Sequence, residues 1–188
     1  MYKFLGYIAN YLYCGKSEYV KSARKEIDVA LAKAKKNADL HYYKGILDLS
    51  KSQYAEALEE FKKAIKYADD STARDYFAKG LAEIFLGMSK EAVEDLEITI
   101  KLDPYFVDAY LLKGKCLYLL GDMNEAFSCY QQLIMINKND PVMHIHAGNL
   151  IMASGRLEDS IEAFNNANKV KETSIGYYQK TKVNTKNK

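Results

Sequence analysis

The chain has 188 residues, of which 48% are hydrophobic and 28% charged, and its formal net charge is +2. This composition is typical of a folded protein and excludes a low-complexity or strongly charged chain. The end of the chain differs: from Lys171 onward, five lysines accompany a single glutamate. We interpret this basic tail as a solvated terminus in preference to a membrane or nucleic-acid contact.

The amino-terminal residues and the cysteines bear on the compartment. Residues 1–15 are rich in tyrosine and interrupted by Asn10, which is a poor match to a signal peptide. No apolar run approaches the length of a membrane span. Cys14, Cys116 and Cys129 have no metal-ligand spacing and leave at least one thiol unpaired, as is typical of a reducing compartment. We therefore expect a cytoplasmic protein that binds neither a metal nor another cofactor.

The early part of the chain contains two related segments. Ala57, Phe61 and Ala64 stand 34 residues after Ala23, Ile27 and Ala30. The first of these segments is degenerate, since Tyr11 stands where the second has Gly45, and terminal repeats are often atypical. The interval from Gly45 to Gly80 is 35 residues, which predicts one inserted residue in the linker at 69–72.

The later segments repeat more regularly. Gly80, Gly114 and Gly148 are spaced by 34 residues, and each is followed seven residues later by another glycine. Helical periodicity predicts helices over 73–86, 90–102, 107–120, 123–136, 141–153 and 157–170. A fixed period of this length indicates a stacked array of helical repeats. We expect a single array over 4–172, with repeats at 4–37, 38–72, 73–106, 107–140 and 141–172. A capping helix over about 173–183 and a basic tail would complete 173–188.

Two repeats carry the residue pattern that identifies their type. The third supplies Tyr76, Gly80, Ala92, Leu96 and Pro104, and the fourth supplies Tyr110, Gly114, Ala126 and Tyr130. This pattern resembles the tetratricopeptide repeat family. Glycine and alanine suit a point where paired helices cross closely. The resemblance implies an all-α, right-handed superhelical solenoid of about five helix-turn-helix repeats with a short C-terminal capping helix.

The resemblance also implies that the first helix of each repeat lines a concave groove. Side chains left over after the core positions are assigned are mostly apolar, as expected for a surface that binds a peptide. The predicted site consists of Tyr42, Tyr43, Ile46, Phe77, Leu81, Phe85, Leu111, Leu112, Lys115, Tyr118, His146 and Asn149. The same face continues through Ile8, Leu12, Leu49, Ile84, Leu119, Ile145 and Met152. Packing between repeats, or filling by the chain's own C-terminal segment, is the alternative use of these residues.

Some family members clamp the acidic C-terminal tails of heat-shock chaperones with lysine, asparagine and arginine side chains. The corresponding positions of repeats two to four hold Tyr42, Ile46, Ala78, Asp108 and Leu112. Those of repeats three to five hold Phe77, Leu81, Leu112, Val142 and His146. Because the cationic pair is missing from both sets, we expect no binding of acidic chaperone tails.

No residue constellation indicates catalysis. His144 and His146 point to different sides of one helix, so we expect His144 in the core and His146 in the groove. The run containing Glu56, Glu59 and Glu60 is flanked by lysines and predicts a solvated, salt-bridged helix face. No nucleophile with a base and an orienting group can be assembled, and no glycine-rich phosphate loop is present. We expect a protein that is not an enzyme.

Two functions remain open. The first is a non-catalytic scaffold or adaptor that binds a protein partner, through a peptide or an amphipathic helix, in the apolar groove. The second is a self-associating structural subunit of a larger ciliary, secretion or cell-division assembly, with the groove filled by its own C-terminal segment or by a second copy. Nucleic acid is not an expected partner, because the groove lacks interleaved basic residues.

Overall fold

The computed structural model describes residues 17–136, 140–153 and 155–170, and within these ranges every regular element is an α-helix. The prediction of an all-α chain is therefore confirmed. The helices are α1 (Ser17–Lys33), α2 (Ala38–Ser50), α3 (Tyr54–Tyr67), α4 (Ala73–Phe85), α5 (Ser89–Leu102), α6 (Val107–Leu120), α7 (Met123–Ile136), α8 (Pro141–Ala153) and α9 (Leu157–Val170). The predicted cap at 173–183 and the register at Tyr11 lie outside the described residues.

The helices follow the predicted repeat closely. Helix α1 lies where the second helix of the predicted first repeat is expected, and the pairs α2/α3, α4/α5, α6/α7 and α8/α9 match the next four predicted repeats. Every predicted helix boundary in the last three repeats falls within one residue of the observed one. Five residues separate α3 from α4, whereas four separate α5 from α6, which confirms the insertion in the earlier linker.

Polar side chains define where several helices begin. The Asn37 side chain accepts a hydrogen bond from the Leu40 amide at 2.9 Å. In the first turn of α4, the Asp75 carboxylate accepts hydrogen bonds from both the amide and the hydroxyl of Thr72, the residue before the helix, at 2.9 and 2.8 Å. Such contacts satisfy amide groups at or next to the helix start that have no partner inside the helix.

The described residues form two compact units that divide between Leu102 and Asp103. Helices α1–α5 belong to the first unit, and α6–α9 to the second. Within each unit, successive helices pack on one another, and the first helices of neighbouring repeats also touch, α2 against α4 and α6 against α8. Each unit therefore has its own face built from first helices.

The helix crossings explain the periodic glycines. A methyl group on Gly45 would lie 2.6 Å from the Phe61 ring, far inside normal contact distance. A methyl group on Gly114 would meet the Tyr130 ring still more closely, and the fifth repeat repeats this arrangement. In these three repeats an aromatic ring sixteen residues later in the chain occupies the space that any other side chain would need.

The third repeat is looser at the same point. Its glycine, Gly80, faces Leu96 instead of an aromatic ring, and an added methyl group would lie 3.4 Å from the Leu96 Cγ atom. That is an ordinary van der Waals distance, so this glycine is not required by packing. The repeats share one architecture but differ in how tightly their paired helices cross.

The turns between paired helices need left-handed backbone. Gly87, Gly121 and Gly155 have φ angles of +77°, +89° and +83°. Ser52 occupies the equivalent place in the second repeat with φ of +59°. Only glycine adopts this conformation without steric cost. The sequence period marked the three glycines but not Ser52.

We expect the substitution Ser52→Gly to stabilise the protein by about 1 kcal/mol, because it removes a left-handed non-glycine residue from the turn. Lys51→Gly is the matched control, since Lys51 has φ of −103° and gains no such relief. Urea denaturation of both variants measures the effect. A stabilisation of Lys51→Gly equal to that of Ser52→Gly would contradict the strain at this turn.

Candidate functional site

The predicted site residues of the first unit lie on α2 and α4. Tyr42 is half-buried, with its ring centroid 5.4 Å from that of Tyr43 and 5.8 Å from that of Phe61. Ile46 and Tyr42 both pack against the buried core of the second and third repeats, while Tyr43 packs against the core around α1. These three side chains therefore serve the packing of the repeats with part of their surface and leave the remainder accessible.

The predicted site residues on α4 differ from one another in how much of their surface is exposed. Phe77 and Leu81 are half-buried, whereas 53% of Phe85 is exposed. The Phe85 ring stacks on Tyr54 at a centroid distance of 4.7 Å and an interplanar angle of 10°. Because Tyr54 begins α3, this stack joins the second and third repeats and holds an exposed aromatic surface in a fixed orientation.

A cation lies beside this aromatic surface, and the sequence analysis did not include it. The Arg74 guanidinium carbon lies 4.1 Å from the centroid of the Tyr42 ring. Its nitrogen lies 3.4 Å from Asp39 and 3.5 Å from Asp75. Burial raises the pKa of the Tyr42 hydroxyl, and the nearby Arg74 charge opposes that shift. The first-unit face thus combines aromatic rings with one arginine held between two carboxylates.

The remaining six predicted site residues lie in the second unit, on α6 and α8. Lys115 is exposed, and the other five are half-buried; these are Leu111, Leu112, Tyr118, His146 and Asn149. Ile145, expected on the same face, is only 8% exposed and belongs to the core, while 66% of Leu119 is exposed at the end of α6. Ile8 and Leu12 lie outside the described residues.

The acidic run on α3 is not uniformly solvated, which corrects the sequence interpretation. Glu59 is exposed and pairs with Lys62 at 2.9 Å, as expected. Glu60, in contrast, is buried, and its carboxylate lies 2.6 Å from His41 Nδ1 and 3.0 Å from the Lys63 ammonium. Although burial favours the protonated form, hydrogen bonds from His41 and Lys63 hold the pKa of Glu60 below its usual value.

A related cluster lies in the third repeat. The Lys79 ammonium lies 3.0 Å from Glu83 and 2.5 Å from Asp95, and both carboxylates are buried. Burial, together with the neighbouring Asp95, raises the pKa of Glu83 to about 7. In the fourth repeat the positions of the two carboxylates hold Leu117 and Cys129. The first unit therefore has charged groups at positions that are apolar in the second.

The raised pKa of Glu83 gives a pH dependence with a definite sign. Folded Glu83 keeps its proton up to about pH 7, whereas the unfolded side chain loses it near pH 4.5. The folded state thus binds more protons between these values, and stability falls as pH rises through this window. We expect Glu83→Gln to be more stable than the wild type at pH 8, by ~1 kcal/mol, and similar at pH 4.5.

Urea denaturation at several pH values measures this effect, with Glu94→Gln as the control because Glu94 is exposed on the same repeat. Between pH 4.5 and 7, the dependence of the unfolding free energy on pH should become weaker only in Glu83→Gln. An unchanged pH dependence in Glu83→Gln would show that Glu83 does not control the pH dependence of stability.

The histidines and cysteines of the described residues lie mostly in the protein interior. His144 is buried, as expected for a core position, and His146 is half-buried. Cys116 and Cys129 are buried, and burial raises the pKa of the Cys116 thiol. Within the described ranges, no three histidine, cysteine, aspartate or glutamate side chains converge as metal ligands would.

Comparisons with known proteins agree with this architecture. A family model described as "Tetratricopeptide repeat" matches residues 107–140, the predicted fourth repeat. Human tetratricopeptide repeat protein 13 is 31% identical over 138 residues, or 72% of this chain. The chain belongs to the tetratricopeptide repeat family. A repeat-containing protein of Methanocaldococcus jannaschii, MJ1428, is 30% identical over 70% of this chain.

The crystal structure of YrrB, a tetratricopeptide repeat protein "with an unusual peptide-binding site", shares the fold. It superposes with a TM-score of 0.74 at 20% identity, covering 93% of this chain and 90% of YrrB. The chain spans only 15% of the human relative and 22% of the archaeal one. Among the tetratricopeptide helices described here, none is long and apolar enough to cross a membrane.

Proposed function

We propose that this tetratricopeptide repeat chain is a non-catalytic scaffold that binds a peptide or an amphipathic helix of another protein on its first-helix faces. The observation that carries the proposal is the aromatic surface of the first unit, where Tyr42 and Phe85 remain partly exposed while their rings are held against neighbouring rings. Rigid aromatic side chains lose little entropy on binding and bury large areas. YrrB, which has the same fold, supports a peptide as ligand.

Charge limits the class of peptide. Asp108 is exposed at the start of α6, and Arg74 already lies between two carboxylates. An acidic chaperone tail would therefore meet repulsion on the second-unit face, or a neutralised cation on the first-unit face. We propose apolar and aromatic side chains as the anchors of the bound segment. Calorimetry should show no binding of an acidic peptide with a free C-terminal carboxylate at high micromolar concentration.

The test is a peptide selected from a displayed random library on the wild-type chain. We expect Phe77→Asp combined with Leu81→Asp to weaken its binding at least 100-fold, because both substitutions place a charge on the first-helix face of the first unit. Lys62→Asp, an exposed change on α3, should leave binding unchanged. Circular dichroism confirms that each variant is folded. Equal affinity in all three proteins would place the binding surface elsewhere and overturn the proposal.

Self-association is the second candidate, and large exposed apolar side chains favour it. Tyr105, Leu119 and Met135 are 77%, 66% and 70% exposed. Such residues are costly to leave in water when they cluster, and they often mark contacts between copies. Sedimentation at several concentrations tests it: a mass that stays at that of one chain would exclude this candidate.

A further inference from the structure

A second surface lies between the outer helices of the second unit, away from the first-helix face. A crevice of about 230 Å³ opens between α7 and α9, with α8 as its floor. Ala147 and Ile151 form the floor, and Phe127 and Tyr130 stand on the α7 wall. An apolar cavity of ~150 Å³ already holds a benzene molecule, so this crevice has room for one aromatic side chain.

Charges line one rim of the crevice. Asp159 pairs with Arg156 at 2.6 Å, and the Arg156 guanidinium lies 4.3 Å from the centroid of the Phe127 ring. Glu162 has no ion-pair partner among the described residues. One arginine and two carboxylates therefore leave a net negative rim beside an apolar floor.

The equivalent crevice of the first unit differs in one decisive respect. It lies between α1 and α3 and is lined by Arg24, Lys44, Asp48, Ala55, Glu56, Glu59 and Glu60. Glu56 and Glu59 match the rim carboxylates of the second unit, but Lys44 and Asp48 replace the apolar floor. Burying an apolar group against these charges gains little, so the second-unit crevice is the better of the two for an apolar anchor.

We propose that the α7–α9 crevice binds a short protein segment in which an aromatic side chain is flanked by lysine or arginine. The aromatic ring enters above Ala147 and Ile151, and the flanking cation lies against Glu162. The charge complementarity at the rim selects a basic segment over an acidic one. The walls of this surface are second helices, and its lining residues differ from those of the proposed first-helix groove.

The probe is the acetylated, amidated pentapeptide Gly-Arg-Trp-Lys-Gly, titrated into the isotope-labelled chain and followed by amide chemical shifts. We expect shifts concentrated on α7, α8 and α9. Two comparison peptides should bind at least tenfold more weakly: Gly-Glu-Trp-Glu-Gly, which reverses the charge, and Gly-Arg-Ala-Lys-Gly, which removes the anchor.

Matched variants separate this surface from the rest of the molecule. Gln131→Trp should abolish binding by filling the crevice, whereas Gln132→Trp, exposed beside it and outside the crevice, should not. Glu162→Gln should weaken binding several-fold and Glu158→Gln should not. Equal binding of the acidic peptide, shifts confined to α6 and the exposed side of α8, or no shifts at millimolar peptide would each overturn the proposal.

Discussion

Gly114→Ala should destabilise the protein by roughly 2–3 kcal/mol, although it adds only one methyl group. The Tyr130 ring occupies the space that the new Cβ would need, so the paired helices α6 and α7 must move apart or the ring must leave its rotamer. Gly80→Ala is the matched control, because Leu96 leaves room for the methyl group. That variant should be neutral or up to ~1 kcal/mol more stable, since alanine favours the helix.

A double variant tests the cause directly. Tyr130→Leu gives the fourth repeat the residue that the third repeat has at this point, and it should make Gly114→Ala tolerable. Urea denaturation of the single and double variants measures the coupling between the two positions. If the losses of stability of the two single variants simply add in the double variant, the Tyr130 ring is not the obstacle to the methyl group. Similar losses in Gly80→Ala and Gly114→Ala would contradict the difference between the two crossings.

Lys79→Met should destabilise the protein by roughly 3 kcal/mol at pH 8. The Lys79 ammonium bridges the buried carboxylates of Glu83 and Asp95, and its loss leaves two like charges without a cation. Below pH 7 the loss should be smaller, because Glu83 then carries a proton. Urea denaturation at pH 5 and pH 8 measures both values.

The matched control is Lys44→Met in the second repeat. Lys44 lies 3.5 Å from Glu60, but that carboxylate keeps its contacts with His41 and Lys63. We therefore expect a loss of less than about 1 kcal/mol, as for a partly exposed ion pair. A loss of stability in Lys44→Met as large as that in Lys79→Met would contradict the role assigned to the third-repeat cluster. A loss in Lys79→Met that does not change with pH would contradict it as well.

The helices could be predicted from the sequence because local signals mark their ends. Gly87 and Gly121 provide left-handed turns, and Pro141 begins a helix, so the boundaries follow from backbone chemistry alone. Ser52 was missed because serine carries no such signal. The repeat itself contained the information, however: Ser52 stands seven residues after Gly45, as the turn glycines do in later repeats.

The buried charges were missed for a different reason. A glutamate beside lysines on a helix is usually solvated, and only the packing of a second helix shows that Glu60 and Glu83 are buried. The alignment of repeats offered one indication, since Glu83 stands where Leu117 and Ile151 stand later. The family resemblance placed the predicted site on first helices, and periodicity selected its residues. Ile145 shows that periodicity alone does not separate a surface residue from a core residue.

The distribution of ion pairs determines which repeats could be exchanged as modules. Lys79, Glu83 and Asp95 all belong to the third repeat, so a copy of that repeat carries a complete set of partners wherever it is inserted. Asp48 is 1% exposed, and its carboxylate pairs with Arg24 on α1, in the preceding repeat. Duplicating the second repeat alone would bury that carboxylate beside a neighbour without the arginine. Growth of this array by duplication is thus favoured at the third repeat, and recombination at the second must carry α1 with it.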